Sequence, residues 1–213
     1  MVTKNKPISP KESPVTTADP AEPTTVRIHQ NGALDGHNGH YDKYLKDLSG
    51  IYADESAYQS ELAARGGDTL VYQVEESRAG EGPGALILGT STVLPGRIGA
   101  EYAVTRGHLH AQASRAEVYY CLAGHGVMLL DSLDGESRAL ELLPGTAVNV
   151  PGHWVHRSVN VGSDPLVTVF VYNEDAGQDY ALIARAGGMS HLIVATESGW
   201  QSVPNPAHRG YLR

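Results

Sequence analysis

Residues 105–121 read TRGHLHAQASRAEVYYC and gather the side chains best suited to chemistry. His108 and His110 are two residues apart, and in an extended segment such residues point to the same face. Both imidazoles then aim into one space. A turn over 111–115 brings a second strand back, and Glu117 joins them from it. Downstream, Pro151-Gly152-His153-Trp154-Val155-His156-Arg157 offers a fourth group. Three neutral imidazoles and one carboxylate make a suitable shell for a divalent transition metal. Two exposed strand histidines and a surface glutamate would explain part of this pattern, but the four groups together argue against that.

The rest of the chain has to position those groups. Its 213 residues suit one domain with a sizeable core. A net charge of −8 argues against a nucleic-acid surface and a basic membrane patch. A phosphorylated ligand stays open, because a metal and backbone amides can offset an anion locally. The single cysteine, Cys121, excludes an internal disulfide and falls in an apolar strand run, as a buried small hydrophobe does. No apolar run approaches the roughly 20 residues that span a bilayer. The N-terminus lacks the apolar core of a secretory signal, so the cytoplasm is the expected location.

Residues 1–26 hold five prolines among Lys, Thr, Ser and Glu and are expected to form a disordered tail. Residues 27–213 are expected to form one domain, with a barrel core at about 69–180. His37 and His40, in an HNGH run, read as a polar loop, since no ligand-spaced partner flanks them. The spacing of 41–48 predicts a short helix. Asp54 reads as the N-cap of a helix over 55–65 that Gly66 and Gly67 stop. From Thr69 the apolar period becomes two, and Gly/Pro turns separate strands at 69–75, 85–94, 100–105, 117–122, 126–131, 138–143, 147–150 and 166–172. A helix at 175–186 and a strand at 191–196 follow. Many short strands and few helices imply an all-β antiparallel sandwich or barrel.

HxH, then Glu117, then a distant Pro-Gly…His resembles the two metal motifs of the cupin superfamily. The longer set TRGHLH (105–110), RAEVY (115–119), PGT (144–146), His156-Arg157 and AGQDY (176–180) resembles the cupin-type phosphoglucose isomerases. That resemblance is dense over about 69–180. It implies a cupin double-stranded β-helix, a jelly-roll barrel with a few short peripheral helices. It also implies a homodimer and a metal-dependent interconversion of glucose 6-phosphate and fructose 6-phosphate. The implied ligands are His108, His110, Glu117 and His156, with His153 left in the intervening loop. They would hold one divalent metal per subunit, iron(II) first, with manganese, nickel or zinc as alternatives. The implied substrate pocket maps onto Tyr72, Ser91, Thr105, Gly107, Tyr119 and Tyr172. Its phosphate contacts would come from hydroxyls and backbone amides.

The chain departs from that family at Gln178, where a pocket histidine is common. Glutamine still hydrogen-bonds but does not titrate near neutrality. Ser91 stands where threonine is frequent and keeps the hydroxyl. Aldose–ketose isomerisation moves a hydrogen between adjacent carbons and a proton between their oxygens. One route removes a carbon-bound proton through an enediol, with Glu117 as the nearest base. The other is a hydride shift that needs no carbon base. Tyr119 and Tyr172 are the phenols placed to bond a substrate oxygen. Arg106 and Arg157 flank ligands and either reach a phosphate or pair with acids at the rim. His125 reads as surface, and Trp154 as a wall of the pocket mouth or a dimer contact. The competing readings are another metal-dependent cupin acting on a sugar phosphate, an oxygenase, a non-catalytic sugar-phosphate binder, or a metal-free storage barrel.

Overall fold

The structure, a computed structural model, describes residues 22–82 and 84–211. Most of the expected tail, 1–21, lies outside them, and 22–26 carry no regular structure. The chain opens with a two-stranded ribbon, β1 (Arg27–Ile28) and β2 (Leu34–Asp35). Then come β3 (Gly39–Tyr44), a 3-10 turn at Leu45–Leu48, helix α1 (Glu55–Arg65), β4 (Leu70–Arg78) and β5 (Leu86–Val93). The middle of the chain supplies β6 (Arg97–Ile98), β7 (Glu101–Val104), β8 (Glu117–Ala123), β9 (Gly126–Ser132), β10 (Ser137–Leu142) and β11 (Ala147–Val150). It closes with β12 (Trp154–Asn160), β13 (Leu166–Asn173), helix α2 (Ala181–Ala186), β14 (His191–Thr196) and β15 (Gly199–Pro204).

The long strands form two antiparallel sheets, β11-β8-β13-β5-β4-β3 and β10-β9-β12-β7-β14-β15, with β6 paired to β7. Together they make the cupin jelly-roll barrel, and the strands expected over 69–172 lie in it within a few residues. Alternation aims the side chains. Along β8, Glu117, Tyr119 and Cys121 are buried, while Val118 and Tyr120 face out. Along β4, Tyr72, Val74 and Glu76 are buried on the inner face. Helix α1 begins where the Asp54 carboxylate accepts the Ala57 amide at 2.9 Å, and it ends at Gly66 with φ of 84°. Its Tyr58 is buried and donates to the Leu45 carbonyl at 2.8 Å, which locks helix to sheet. Near the C-terminus, buried Asp131 accepts from the Ser190 amide at 2.6 Å, the Ser190 hydroxyl at 2.7 Å and the Tyr211 hydroxyl at 2.7 Å.

Two expected helices differ. Residues 39–44 pair with β4 from Gly39–Glu76 to Tyr44–Leu70, and only 45–48 form a helical turn, whose Leu45 and Leu48 are buried. Strand pairing along a half-buried edge outweighs the helical spacing there. At 175–186, Gly177 at φ of 57° interrupts the helix, leaving a 3-10 turn at 174–176 and the short α2. Strands β12 and β15 were not foreseen.

Candidate metal centre and substrate pocket

The loop from β7 to β8 and the strand β12 converge on the barrel mouth. His108 and His156 exchange backbone hydrogen bonds, N to O, both at 3.0 Å. That approach needs Gly107. Its φ is 72°, and a Cβ there would stand 2.9 Å from both the His156 carbonyl oxygen and the Arg157 Cβ. The paired backbones bring the two rings to 4.4 Å between centroids. His110 leans in beside them, and Glu117 enters from the first residue of β8.

One ligand atom from each of His108, His110, Glu117 and His156 lies within 4.8 Å of the others. Glu117 Oε2 is 2.9 Å from His156 Nε2, 3.2 Å from His110 Nε2 and 3.9 Å from His108 Nε2. The outer nitrogens of two rings are already taken. His110 Nδ1 sits 2.9 Å from the Arg115 carbonyl, and His156 Nδ1 sits 3.1 Å from the Trp154 carbonyl. Backbone acceptors at Nδ1 fix the tautomer that leaves Nε2 free for a metal. The Nε2 atoms of His108 and His110 are buried without a hydrogen-bond partner. Buried polar atoms are seldom left so, and a ligand is the usual explanation. The group fits a divalent transition ion on donor type, burial and these orphaned nitrogens.

The electrostatics agree. Burial would raise the Glu117 carboxyl, but His110 and His156 against its oxygens outweigh this and hold it at about 2. Burial, aided by neighbouring His156, drives the His108 imidazole well below its ordinary value, so it stays neutral. Burial also raises the phenols of Tyr72, Tyr119 and Tyr172, which therefore stand as protonated donors.

Beside the cluster opens a cleft whose empty space, continuous with solvent, is about 500 Å³. Every residue the sequence singled out for substrate lines it: Tyr72, Ser91, Thr105, Gly107, Tyr119, Tyr172 and Gln178. The Ser91 hydroxyl is buried and unpartnered. Tyr172 stacks on His110 at 5.7 Å between centroids and donates to Glu76 Oε1 at 3.2 Å. Gln178 bridges two phenols, donating to the Tyr172 hydroxyl at 3.3 Å and accepting from the Tyr180 hydroxyl at 3.2 Å.

Two features escaped the sequence reading. Tyr41 reaches the cavity from β3 and Glu76 from β4. Glu76 was legible as the next inward position after Tyr72 and Val74, whereas Tyr41 was hidden by the helix assignment. The pocket is also cationic, at the two arginines that the sequence left between a phosphate and acids at the rim. Arg106 and Arg157 both line the cavity, and neither pairs with an acid among the described residues. Arg157 is only 4% exposed. One of its Nη atoms donates to the Arg106 carbonyl at 2.8 Å, and its Nε has no partner. The Arg106 guanidinium lies 4.9 Å above the Tyr180 ring with its Nε also unpartnered. By contrast, His125 pairs with Glu141 at 2.8 Å on the surface. Trp154 and His153 line a different hollow with Ser132, Leu133 and Asp134, so Trp154 is no wall of this pocket.

A family model described as glucose-6-phosphate isomerase (GPI) matches residues 42–209. A Rhizobium meliloti protein named putative glucose-6-phosphate isomerase 1 is 46% identical over 190 residues, covering 88% of this chain and 88% of its own. A glucose-6-phosphate isomerase of Thermococcus gammatolerans is 40% identical over 162 residues, 76% of this chain and 84% of its own. One from Pyrococcus horikoshii is 38% identical over 186 residues, 87% of this chain and 96% of its own.

Proposed function

The chain belongs to the glucose-6-phosphate isomerase family, and we propose that the three histidines and Glu117 are its metal centre and the adjoining cavity its sugar-phosphate site. It is an aldose–ketose isomerase interconverting glucose 6-phosphate and fructose 6-phosphate. The other readings weighed from the sequence are not favoured by relatives that carry the isomerase name. The observation that carries the assignment of the centre is the convergence of three imidazole Nε2 atoms on one buried oxygen of Glu117, at 2.9, 3.2 and 3.9 Å.

Held by His108, His110, Glu117 and His156, a divalent ion such as iron(II), manganese or nickel supplies Lewis-acid stabilisation of charge developing on adjacent substrate oxygens. The remaining work falls to side chains. Tyr119, protonated and beside the cluster, donates a hydrogen bond to a sugar oxygen, and Tyr172 does so by exchanging its bond to Glu76. Glu117, low in basicity, serves better as ligand than as carbon base, which favours hydride transfer over the enediol route. Arg157 and Arg106 receive the phosphate. A buried cation without an acid partner is costly, and a dianion in the cavity offsets that cost. Ser91, Thr105 and Tyr72 add hydroxyls, and Gly107 its amide. Gln178 orients Tyr172 and does not carry a proton.

The same reading makes residues 27–213 one catalytic domain after a tail at 1–26. It places the enzyme in the cytoplasm, in glycolysis and gluconeogenesis. No helix among the described residues is long and apolar enough to cross a membrane. A homodimer is supported by Val118 and Tyr120 on the outer face of β8, 43% and 42% exposed, where a second copy would cover them. The deciding experiment strips the protein with chelator, then follows fructose 6-phosphate isomerisation before and after adding iron(II), manganese or nickel. Metal-restored turnover that is absent from His108→Ala and His156→Ala is the expected result. A folded, metal-loaded protein without turnover would overturn the reading.

A further inference from the structure

The outer face of the β3–β4 pair carries a second group of metal-ligating side chains. His37 lies in the loop after β2, His40 on β3 and Glu75 on β4. One ligand atom from each lies within 4.8 Å of the other two. The placement follows from pairing. His40 and Glu75 are directly opposite in the antiparallel register, so their side chains share a face. Their neighbours Tyr41 and Glu76 project through the sheet into the sugar-phosphate cavity. The two faces of one strand pair thus serve different sites.

The groups around the three ligands hold the carboxylate in place and leave the exposed rings to adjust. His37 Nδ1 is 3.0 Å from the Leu34 carbonyl and 3.5 Å from Glu75 Oε2, so the ring has to turn to present Nε2 to an ion. His40 Nε2 is 3.1 Å from Asp42 Oδ1, which leaves Nδ1 facing Glu75 Oε1 at 3.9 Å. The Leu34 carbonyl at His37 is an acceptor of the kind that fixes a tautomer, and Asp42 lies close to His40 without a hydrogen bond of good geometry. Glu75 Oε2 is held by the Leu34 amide at 2.7 Å, so the carboxylate does not swing away. Bonds of about 2.0–2.1 Å in a tetrahedral shell set neighbouring ligand atoms roughly 3.3 Å apart. The 3.9 Å separation closes to that by a small rotation of a half-exposed histidine ring.

We infer that His37, His40 and Glu75 hold a second divalent transition metal of the zinc class. Two imidazoles and a carboxylate suit zinc and exclude calcium and magnesium, which take oxygen shells. A fourth position stays open to water because both histidines are exposed, at 41% and 42% of their side chains. The ion ties the loop after the β1–β2 ribbon to the edge of the barrel.

The test counts zinc bound by untagged, chelator-stripped protein, using zinc alone in calorimetric titration. Wild type is expected to bind two ions per chain. The His108→Ala/His110→Ala double variant is expected to keep the outer one, and the His37→Ala/His40→Ala double variant to keep only the central one. Glu75→Gln, a milder change, is expected to weaken the outer site at least tenfold while the other equivalent is unmoved. The inference is overturned if wild type binds one ion and the His108→Ala/His110→Ala variant none, or if the His37→Ala/His40→Ala variant still binds two. Neither result touches the isomerase reading, which rests on the central cluster.

Discussion

Two groups of histidine and glutamate lie on opposite sides of the same sheet, and they differ in how much the fold has done for them. At the centre, Glu117 is 3% exposed, and its Oε2 lies 2.9–3.9 Å from three imidazole nitrogens. At the outer face the histidine–Glu75 separations are 3.5 and 3.9 Å, and both rings are open to solvent. The central donors have lost their water and face one another. The outer donors keep theirs and must rearrange. Polar groups that are desolvated and unbonded wait for a ligand at a continuous cost. Hydrated groups wait at almost none. The first arrangement suits a catalytic ion held in fixed geometry, the second an ion that comes and goes.

The hardest test of that contrast is His156→Ala. It removes one central donor and leaves Glu117 buried without its 2.9 Å partner. Turnover is expected to fall more than about a hundredfold, because an ion contributes several kcal/mol of charge stabilisation at the reacting oxygens. Added metal should not restore it. Retention of most activity in steady-state assays would move the catalytic centre elsewhere.

Next in size is Arg157→Met. Replacing a buried, unpaired cation by an apolar chain of similar length is often neutral or stabilising. The melting temperature should therefore hold or rise. KM for fructose 6-phosphate should increase roughly ten- to a hundredfold, the range for losing charged hydrogen bonds worth about 1.5–3 kcal/mol. A lower melting temperature with unchanged KM would return Arg157 to a purely structural role.

Gln178 sharpens the comparison within the pocket itself. Gln178→Leu removes both bonds that hold Tyr172 and Tyr180, and kcat should fall about tenfold, near 1.4 kcal/mol. Gln178→His should keep activity at pH 8. It should add an acid limb to the pH profile near the ordinary histidine pKa of about 6.5, absent from wild type. An identical limb in both proteins would mean that another group titrates there.

The same contrast explains what the sequence disclosed. The central cluster was legible because its rules are local. HxH in an extended segment puts two imidazoles on one face, and the alternation of Glu117, Val118 and Tyr119 carries the carboxylate inward. The barrel was legible for the same reason, since strand period and Gly/Pro turns repeat along it. Tyr41, His40 and Glu75 were not legible, because their partnership depends on the register of β3 against β4. Nothing between residues 39 and 76 announces that register, and the spacing of 41–48 pointed to a helix instead. The loop histidines seemed to lack a third ligand only because it arrives from a strand 35 positions on. Arg157 was hard to place for a third reason. Sequence marks a cation beside a ligand but not that the nearby acids Glu101 and Asp131 stop short of an ion pair with it.

The smallest expected effect is the stability cost of His40→Ala, set against the same substitution on the other face of the sheet in metal-free protein. His40→Ala removes a half-exposed ring whose contacts are a 3.1 Å approach to Asp42 and a 3.9 Å approach to Glu75. Surface changes of this kind stay within about 0.5 kcal/mol. His156→Ala instead opens a void in the barrel and strips a hydrogen bond from a carboxylate held at about 2. Burying an unpaired charge belongs among the costly mechanisms, so a loss of several kcal/mol is expected at neutral pH. Lowering the pH should narrow the difference between wild type and His156→Ala. The depressed Glu117 carboxyl contributes stability above the ordinary carboxylate range and loses it as pH falls towards 2. Urea unfolding of both variants at two pH values measures this. Equal costs for the two alanines would mean that the central histidines are no more pre-positioned than the outer ones, and the distinction between a fixed ion and an exchanging one would lose its structural basis.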